Sequence, residues 1–575
     1  MDRLLLPTLL GALLLSGAVS SAQQPTAGRT PQGPARDPVQ QARPGSATVR
    51  GRVLAADTGR PLRRVRITLA SSELGEAPRV TSTALDGRYE ITDLPAGRYT
   101  LRAERSGYLT LRYGQTRPLE QGIPLNVRER DTIERVDFTL PRAGIITGRV
   151  VDELGEPIAD VQVFAMRSAY WQGRRRLVPA GSFVGRTDDE GAYRLSGLTP
   201  GTYLVMAVLR DTWTTRQGNV EQTFGYAPTY APGTAAVAEA QRVTLGIGQR
   251  IGPVDLALVA GRAASISGTA TDAVGRPLAG RTVGLGRQVV GPDSGAFMVA
   301  GNGTVSPDGT FTITNIPPGQ YTLTAQAPVP GTGSNNVPER IVMPITVDSV
   351  DLTNVRLMTS PGWSMAGQIV TENGTPPNAR SNGFGLSATP VDADAAPDPQ
   401  ATRDADSGRV MDDWSTRVSG IYGPARLHIR VPDGWWVKSI VHEGQELADT
   451  PAEMPSGETL AGVRIVVSNR PTHVQGRLVD DKGMPVTDAT VVVFARDPQK
   501  WYDESRWVRA VRPDQQGNYH ADGLPPGDYL AIALDYVEDG TWNDPAFIDT
   551  LRENAQSLTL MEAETRTVAL KLMTP

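Results

Sequence analysis

The chain contains no cysteine, which excludes disulfide bridges, zinc–thiolate sites, a thiol nucleophile and a lipid-anchoring cysteine. Histidine is scarce: His428, His442, His473 and His520 are the only four, too scattered for a histidine metal centre. No HExxH or HxxE pattern occurs, so zinc-peptidase chemistry lacks its ligand set. A GxSxG elbow is also missing, and with it the usual signature of a serine hydrolase. No lysine precedes Lys438, and the basic residues are nearly all arginine. Aromatic residues make up only 6% of the chain, and the net charge is just −5. So weak a charge implies no strong attraction to nucleic acid or to an anionic membrane.

Long apolar runs are equally scarce. The one candidate is Leu4 to Val19, with Arg3 before it and the small residues Ser20, Ser21 and Ala22 after it. It is short for a membrane span and reads as a secretory leader over residues 1–22, cleaved before Gln23. The expectation is a chain exported by the Sec pathway to the periplasm, the exterior or the cell surface, with no integral membrane segment once mature. Residues 23–46 are rich in Pro, Gln, Gly and Arg, have almost nothing to bury, and read as a disordered tether.

What the chain has in abundance is turns: Gly 60 and Pro 45 in 575 residues. They fall in a recurring sentence, DGRYEITDLPAGRYTL from Asp86, EGAYRLSGLTPGTYLV from Glu190, DGTFTITNIPPGQYTL from Asp308 and QGNYHADGLPPGDYLA from Gln516. Glycine after the acidic or amide residue supplies the positive φ of a tight turn. An aromatic two residues later (Tyr89, Tyr193, Phe311, Tyr519) begins an alternating strand, and those four rings are expected to be buried. A proline turn then leads to a second strand with its own tyrosine (Tyr99, Tyr203, Tyr321, Tyr529). The pattern reads as a β-hairpin at the edge of a core and contains no catalytic group.

Before each copy stands an opening strand with glycine and a Gly-x-Pro turn, as in VRGRVLAADTGRP from Val49 and ITGRVVDELGEP from Ile146. The openings at Gly51, Gly148, Gly268, Gly367 and Gly476 lie roughly 100–120 residues apart, a domain-sized period. Short strands at this density, with turn signals throughout, predict all-β sandwiches. The boundaries expected are 47–142, 143–260, 261–360, 361–470 and 471–575. The fourth unit is divergent, its motif altered to SGIYGPARLHIRVPDGWWV. Without lysine, the first three units cannot hold a Lys–Asn isopeptide cross-link. One helix is expected after Asp544-Pro545, with Asp544 as its cap and Phe547, Leu551 and Ala555 on one face.

The opening G-R-V with D-x-x-G-x-P (Gly148, Asp152, Gly155, Pro157) and the D-G-x-Y/F…L-P-x-G-x-Y motif resemble the carboxypeptidase regulatory-like family. The resemblance covers nearly all of Gly51 to Leu572. It implies a tandem array of Ig-like or transthyretin-like (prealbumin-like) β-sandwiches, of the carbohydrate-binding-like kind appended to many exported bacterial proteins. It implies no catalytic residue.

Candidate ligand-binding residues are aromatics in loops, beside arginines. The second unit places Tyr170 and Trp171 after the strand VQVFAM, followed by Arg174, Arg175 and Arg176. The fifth places Trp501, Tyr502, Arg506 and Trp507 after VVVFAR. Such rings stack on sugars or anchor a protein; the competing reading is that they cover a sheet edge or a neighbouring domain. If they are a ligand platform, Trp171 and either Trp501 or Trp507 are expected to be substantially exposed. Trp213, Tyr226 and Tyr230 are candidates for the same surface, whereas of Trp435 and Trp436 one ring is expected to be buried. The acidic segment Val391 to Asp413, with Asp404, Asp406 and Asp412, lacks an EF-hand register and reads as a solvated loop, an irregular calcium site being the alternative. No cofactor is expected.

Taken together, the residues point to an exported, non-enzymatic binding or scaffold protein with a polysaccharide, glycan or cell-surface partner and no nucleic acid. The alternatives are a protein-binding accessory of a separately encoded peptidase or outer-membrane transport system, and a hydrolase with an unrecognised site.

Overall fold

In the computed structural model, residues 45–573 are described, except 72–73, 75–77, 181–184, 291–294, 328–337, 395, 397–406, 481 and 515. The expected leader, most of the expected tether, and Asp404 and Asp406 lie outside the described residues.

Five apolar cores follow one another along the chain, from Ala47 to Leu140, Ile146 to Leu258, Ala264 to Leu357, Trp363 to Val467 and Val474 to Leu570. Each lies between two sheets, so the chain is an all-β array of Ig-like, transthyretin-like sandwiches. In every sandwich the opening strand pairs antiparallel with the motif strand and parallel with the closing strand. In the first, Ala47–Ala55 sits between Arg88–Leu94 on one side and Thr132–Ile133 and Phe138–Leu140 on the other. The facing sheet joins Arg79–Ser82, Arg66–Ala70, Gly97–Glu104 and Leu111–Arg112.

This topology corrects the hairpin reading. The two strands of the recurring motif do not pair with each other; Arg88–Leu94 lies in one sheet and Gly97–Glu104 in the other. The motif is a corner from sheet to sheet. A residue with left-handed backbone starts it in all five sandwiches: Asp93, Gly197, Asn315, Gly420 and Gly523, with φ between 58° and 80°. It turns the next residue (Leu94, Leu198, Ile316, Ile421 or Leu524) into the core and, in the first four, shifts the pairing register. The second tyrosine locks the corner, its hydroxyl donating to the carbonyl four residues upstream: Tyr99 to Pro95 at 2.7 Å, Tyr203 to Thr199 at 2.6 Å, Tyr321 to Pro317 at 2.9 Å and Tyr529 to Pro525 at 2.6 Å. The fourth sandwich has no such tyrosine, and the Trp363 indole donates instead to Gly423 O at 2.9 Å.

The first aromatic of each motif is buried: Tyr89, Tyr193, Phe311 and Tyr519 are at most 5% exposed. The Tyr89 hydroxyl reaches the closing segment at Val136 O (2.5 Å), between its two short strands, Tyr193 reaches Val254 O, and Tyr519 reaches Val568 O (2.6 Å). The close approach of that carbonyl explains the opening glycine, also in the third sandwich, where Phe311 has no hydroxyl and a Cβ on Gly268 would stand 1.8 Å from Val355 O. A Cβ on Gly51 would stand 1.9 Å from Val136 O and 2.8 Å from the Tyr89 hydroxyl, and Gly148 and Gly476 are equally crowded.

The fifth sandwich has a second apolar layer. Its strand Thr490–Ala495 is buried on both faces, the inner face against Val474, Tyr519 and Leu560 and the outer against Trp501, Val537, Ile548 and Leu551. The helix Pro545–Leu551 lies over that outer face, with the Asp544 carboxylate accepting from Ala546 N at 3.0 Å. It is shorter than expected, ending at Leu551; Ile548 and Leu551 are buried, and Phe547 and Ala555, on the expected face, pack half-buried against the same layer.

Candidate functional site

Tyr170 and Trp171 end the strand Gln162–Trp171, which turns back through Gln172 and Gly173 into Arg174–Pro179. Both turn residues have positive φ, 50° and 78°, as a two-residue hairpin requires. The arginines that follow are committed to other sandwiches. Arg174 pairs with Asp392 and, at 3.1 Å, with Asp394; Arg176 pairs with Asp394 at 2.7 Å. Arg175 reaches Asp544 in the fifth sandwich at 2.6 Å, so one carboxylate both caps the helix and anchors the hairpin. Trp171 and Tyr170 are half-buried, and the Trp171 indole nitrogen is covered. Burial, with Asp503 and Asp544 nearby, pushes the Tyr170 hydroxyl up to about 12.

The tryptophans of the fifth sandwich contradict the exposed-platform expectation: Trp501 and Trp507 are each 6% exposed. Trp501 packs edge-on to Phe494 within the outer layer, its indole nitrogen bonded to Ala495 O at 2.7 Å. Trp507 stacks on Tyr529 and donates to Asp449 of the fourth sandwich at 2.8 Å. That carboxylate also takes the Tyr502 hydroxyl at 2.7 Å and the Arg506 guanidinium at 2.9 and 2.7 Å. Burial alone would raise the Asp449 pKa; Arg506, Tyr502 and Trp507 more than offset it and hold it below the ordinary range. The Arg426 guanidinium covers the Tyr502 ring at 4.0 Å. Side chains proposed for a ligand therefore join domains, because a large ring with one polar atom is as well satisfied by a neighbouring sandwich as by a sugar. The signal overlooked in the sequence is the unbroken apolar run TVVVFA. A strand without alternation has both faces covered, so the loop after it lies under a layer.

The fifth sandwich also grips the first. Arg512, 5% exposed, donates to Gly114 O at 2.8 Å and Gln121 O at 3.0 Å, and pairs with Glu120 at 3.4 Å. Tyr536 donates to Pro118 O at 3.1 Å, and Arg112 pairs with Asp539 at 3.0 Å. The fifth sandwich thus touches the first, second and fourth.

One aromatic group is not used this way. The strands Thr212–Gln217, Val220–Ala227 and Val259–Arg262 form a separate three-stranded sheet in the second sandwich. Trp213 lies directly opposite Phe224, with Tyr226 on the same face. The Trp213 ring stacks on Phe224 (6.0 Å, 22°) and tilts over Tyr226 (4.8 Å, 42°), and all three are half-buried. The Tyr226 hydroxyl donates to Glu153 at 2.9 Å. The opposite face of this sheet meets the third sandwich, Gly225 against Pro317 and Gly261 against Pro318. Tyr230 is buried with Phe164, Met166 and Met206, away from any ligand surface. Of the pair in the fourth sandwich, Trp436 is the buried ring and Trp435 is half-buried against Phe384. A cavity of about 370 Å³ in the fourth sandwich is lined by Ser387, Ser407, Ser419, Tyr422 and Arg430. Among the described residues no cluster of three or more His, Asp or Glu side chains is arranged to hold a metal ion. No helix among them is long and apolar enough to cross a membrane.

These features define an all-β protein of tandem sandwiches with a candidate aromatic binding face. Residues 48–141 and 145–249 each match the carboxypeptidase regulatory-like domain, as two tandem copies of the same family model. No curated protein matches the chain. Among solved structures the chain is similar to the Bacillus anthracis TIE protein, at 13% identity over 72% of this chain and 68% of that one, with a TM-score of 0.13. It is also similar to the minor pilin of Streptococcus agalactiae (14% identity, 37% and 97% covered, TM-score 0.21) and the major pilin subunit of Bacillus cereus (10%, 54% and 99%, 0.13). TM-scores this low carry no functional argument.

Proposed function

We propose that this chain is an exported, non-enzymatic scaffold that binds carbohydrate or another cell-surface polymer through the Trp213–Phe224–Tyr226 face. The observation that carries the reading is the stacked row itself: three rings side by side on one sheet face, half-exposed. The apolar side of a sugar ring packs on such a row, while its hydroxyls bond to polar neighbours such as Glu153 and Gln222. The packing of the opposite face of this sheet against the third sandwich supports the scaffold part, since a face held by a fixed neighbour binds without an ordering cost.

The test is a titration of neutral polysaccharides followed by tryptophan fluorescence, with wild type and Trp213→Ala compared. The substitution is expected to weaken binding by about 1–3 kcal/mol, by analogy with base–aromatic stacking, at an unchanged melting temperature. A polymer bound equally well by Trp213→Ala would remove this face from the function. If no polymer binds and a protein co-purifies, the accessory reading takes its place.

A further inference from the structure

The second sandwich carries a feature that its neighbours lack. On the outer face of its opening sheet, the strand Gly144–Val151 lies between Ala192–Leu198 and Arg250–Ile251. Thr147 is opposite Arg194 and Ile145 is opposite Arg250, so Arg149, Arg194 and Arg250 share one face. Arg186 joins them from the rim, and together they line an open basin of about 750 Å³.

All four arginines are exposed, and they are unevenly partnered. Arg149 meets Glu190 at 3.4 Å and Arg186 meets Asp160 at 3.5 Å, both loosely and in solvent. Arg194 and Arg250 have no side-chain hydrogen bond or ion pair among the described residues. The two carboxylates in the basin are turned to the backbone: Asp188 accepts from Glu190 N and Ala192 N, and Asp255 from Arg149 N at 2.8 Å. The first sandwich shows what a balanced face looks like. There the place of Arg194 is taken by Glu90 and that of Arg250 by Thr132, and Arg50 is neutralised by Glu90 at 2.7 Å and Glu134 at 3.0 Å.

We infer that this basin is a binding site for a linear acidic polysaccharide, with Arg194 and Arg250 taking its carboxylates. A guanidinium fork matches a planar carboxylate through two parallel hydrogen bonds. Arg194 and Arg250 flank the central strand and span about 10 Å across three strands, which suits an extended polymer better than a single small anion. Nucleic acid fits less well: Tyr193 beneath the basin is 4% exposed and offers no ring for stacking, and the whole chain is net negative. This site is separate from the Trp213 face and does not depend on it.

The experiment titrates the full chain with polygalacturonate, with its fully methyl-esterified form and with oligo-dT, at low and physiological salt. Polygalacturonate is expected to bind, more weakly as salt rises, while the ester does not compete. Arg194→Ala with Arg250→Ala should lose at least about tenfold in affinity, and Arg194→Lys with Arg250→Lys, which keeps charge without the fork, should fall between. Both changes are at exposed side chains, and circular dichroism checks that each variant folds. Unchanged polygalacturonate binding in the alanine variant, equal binding of the ester, or oligo-dT binding as tight as polygalacturonate would each overturn the inference. Polygalacturonate binding without any neutral-polymer binding would overturn only the Trp213 reading.

Discussion

The Trp507 indole nitrogen donates to Asp449 Oδ1 across 2.8 Å, and the two residues belong to different sandwiches. Around that bond the Arg506 fork, the Tyr502 hydroxyl and the ring stacked on Tyr529 close the joint between the fourth and fifth units.

Replacing Asp449 by alanine strands the half-buried Arg506 guanidinium and two further donors without their acceptor. A loss of about 3–5 kcal/mol is expected, as for a broken buried ion pair. Limited proteolysis and a denaturant melt should show the fourth and fifth units separating at lower denaturant. A melt identical to wild type would show that the joint carries no stability.

Acid should loosen the same pair of sandwiches through Glu372. Hydrogen bonds from Lys438 foremost, with Ser468 and Arg470, hold its pKa down at about 2. Lys438 bridges onward to Glu562 of the fifth sandwich. Because the folded pKa lies below the unfolded one, the stabilisation is fully present above about pH 4.5 and is lost as pH falls toward about 2. Asp449, also held low, acts in the same direction below its ordinary range. The melting temperature should therefore fall more steeply between pH 4.5 and about 2 in wild type than in Glu372→Gln, and parallel curves would refute the assignment.

Arg512 ties the fifth sandwich to the first. Its alanine variant leaves the carbonyls of Gly114 and Gln121 and the 3%-exposed Glu120 without this donor. A stability loss of about 3–5 kcal/mol is expected, with a larger radius of gyration in solution scattering as the two units part. An unchanged radius would mean the remaining contacts at Tyr536 and Arg112 suffice.

Much of the fold was legible because its signals are local. The buried Tyr89, Tyr193, Phe311 and Tyr519 follow from a glycine turn and a two-residue period, and the helix cap at Asp544 from one Asp-Pro pair. The corner and a hairpin share one local signature, a strand, a turn and a strand. What separates them is the left-handed residue at Asp93 and its counterparts, together with the choice of strand partner, and partner choice is not written in neighbouring residues.

The site was less legible. A tryptophan in a loop has the same local sequence whether it faces a sugar, as proposed for Trp213, or a neighbouring sandwich, as Trp507 faces Asp449. By itself the sequence determined the all-β class and the repeating sandwich, and it carried the likeness to the carboxypeptidase regulatory-like domain over residues 48–141 and 145–249, because turn chemistry and alternation act over a few residues. Only the tertiary structure decided that Arg174 to Arg176, Trp501, Tyr502 and Trp507 are spent within the chain. Their partners are as far as 369 positions away at Asp544 for Arg175, and burial by so distant a segment depends on how whole domains pack. The same packing left the Arg194–Arg250 face open and balanced its counterpart in the first sandwich, a difference that appears only once strands are paired.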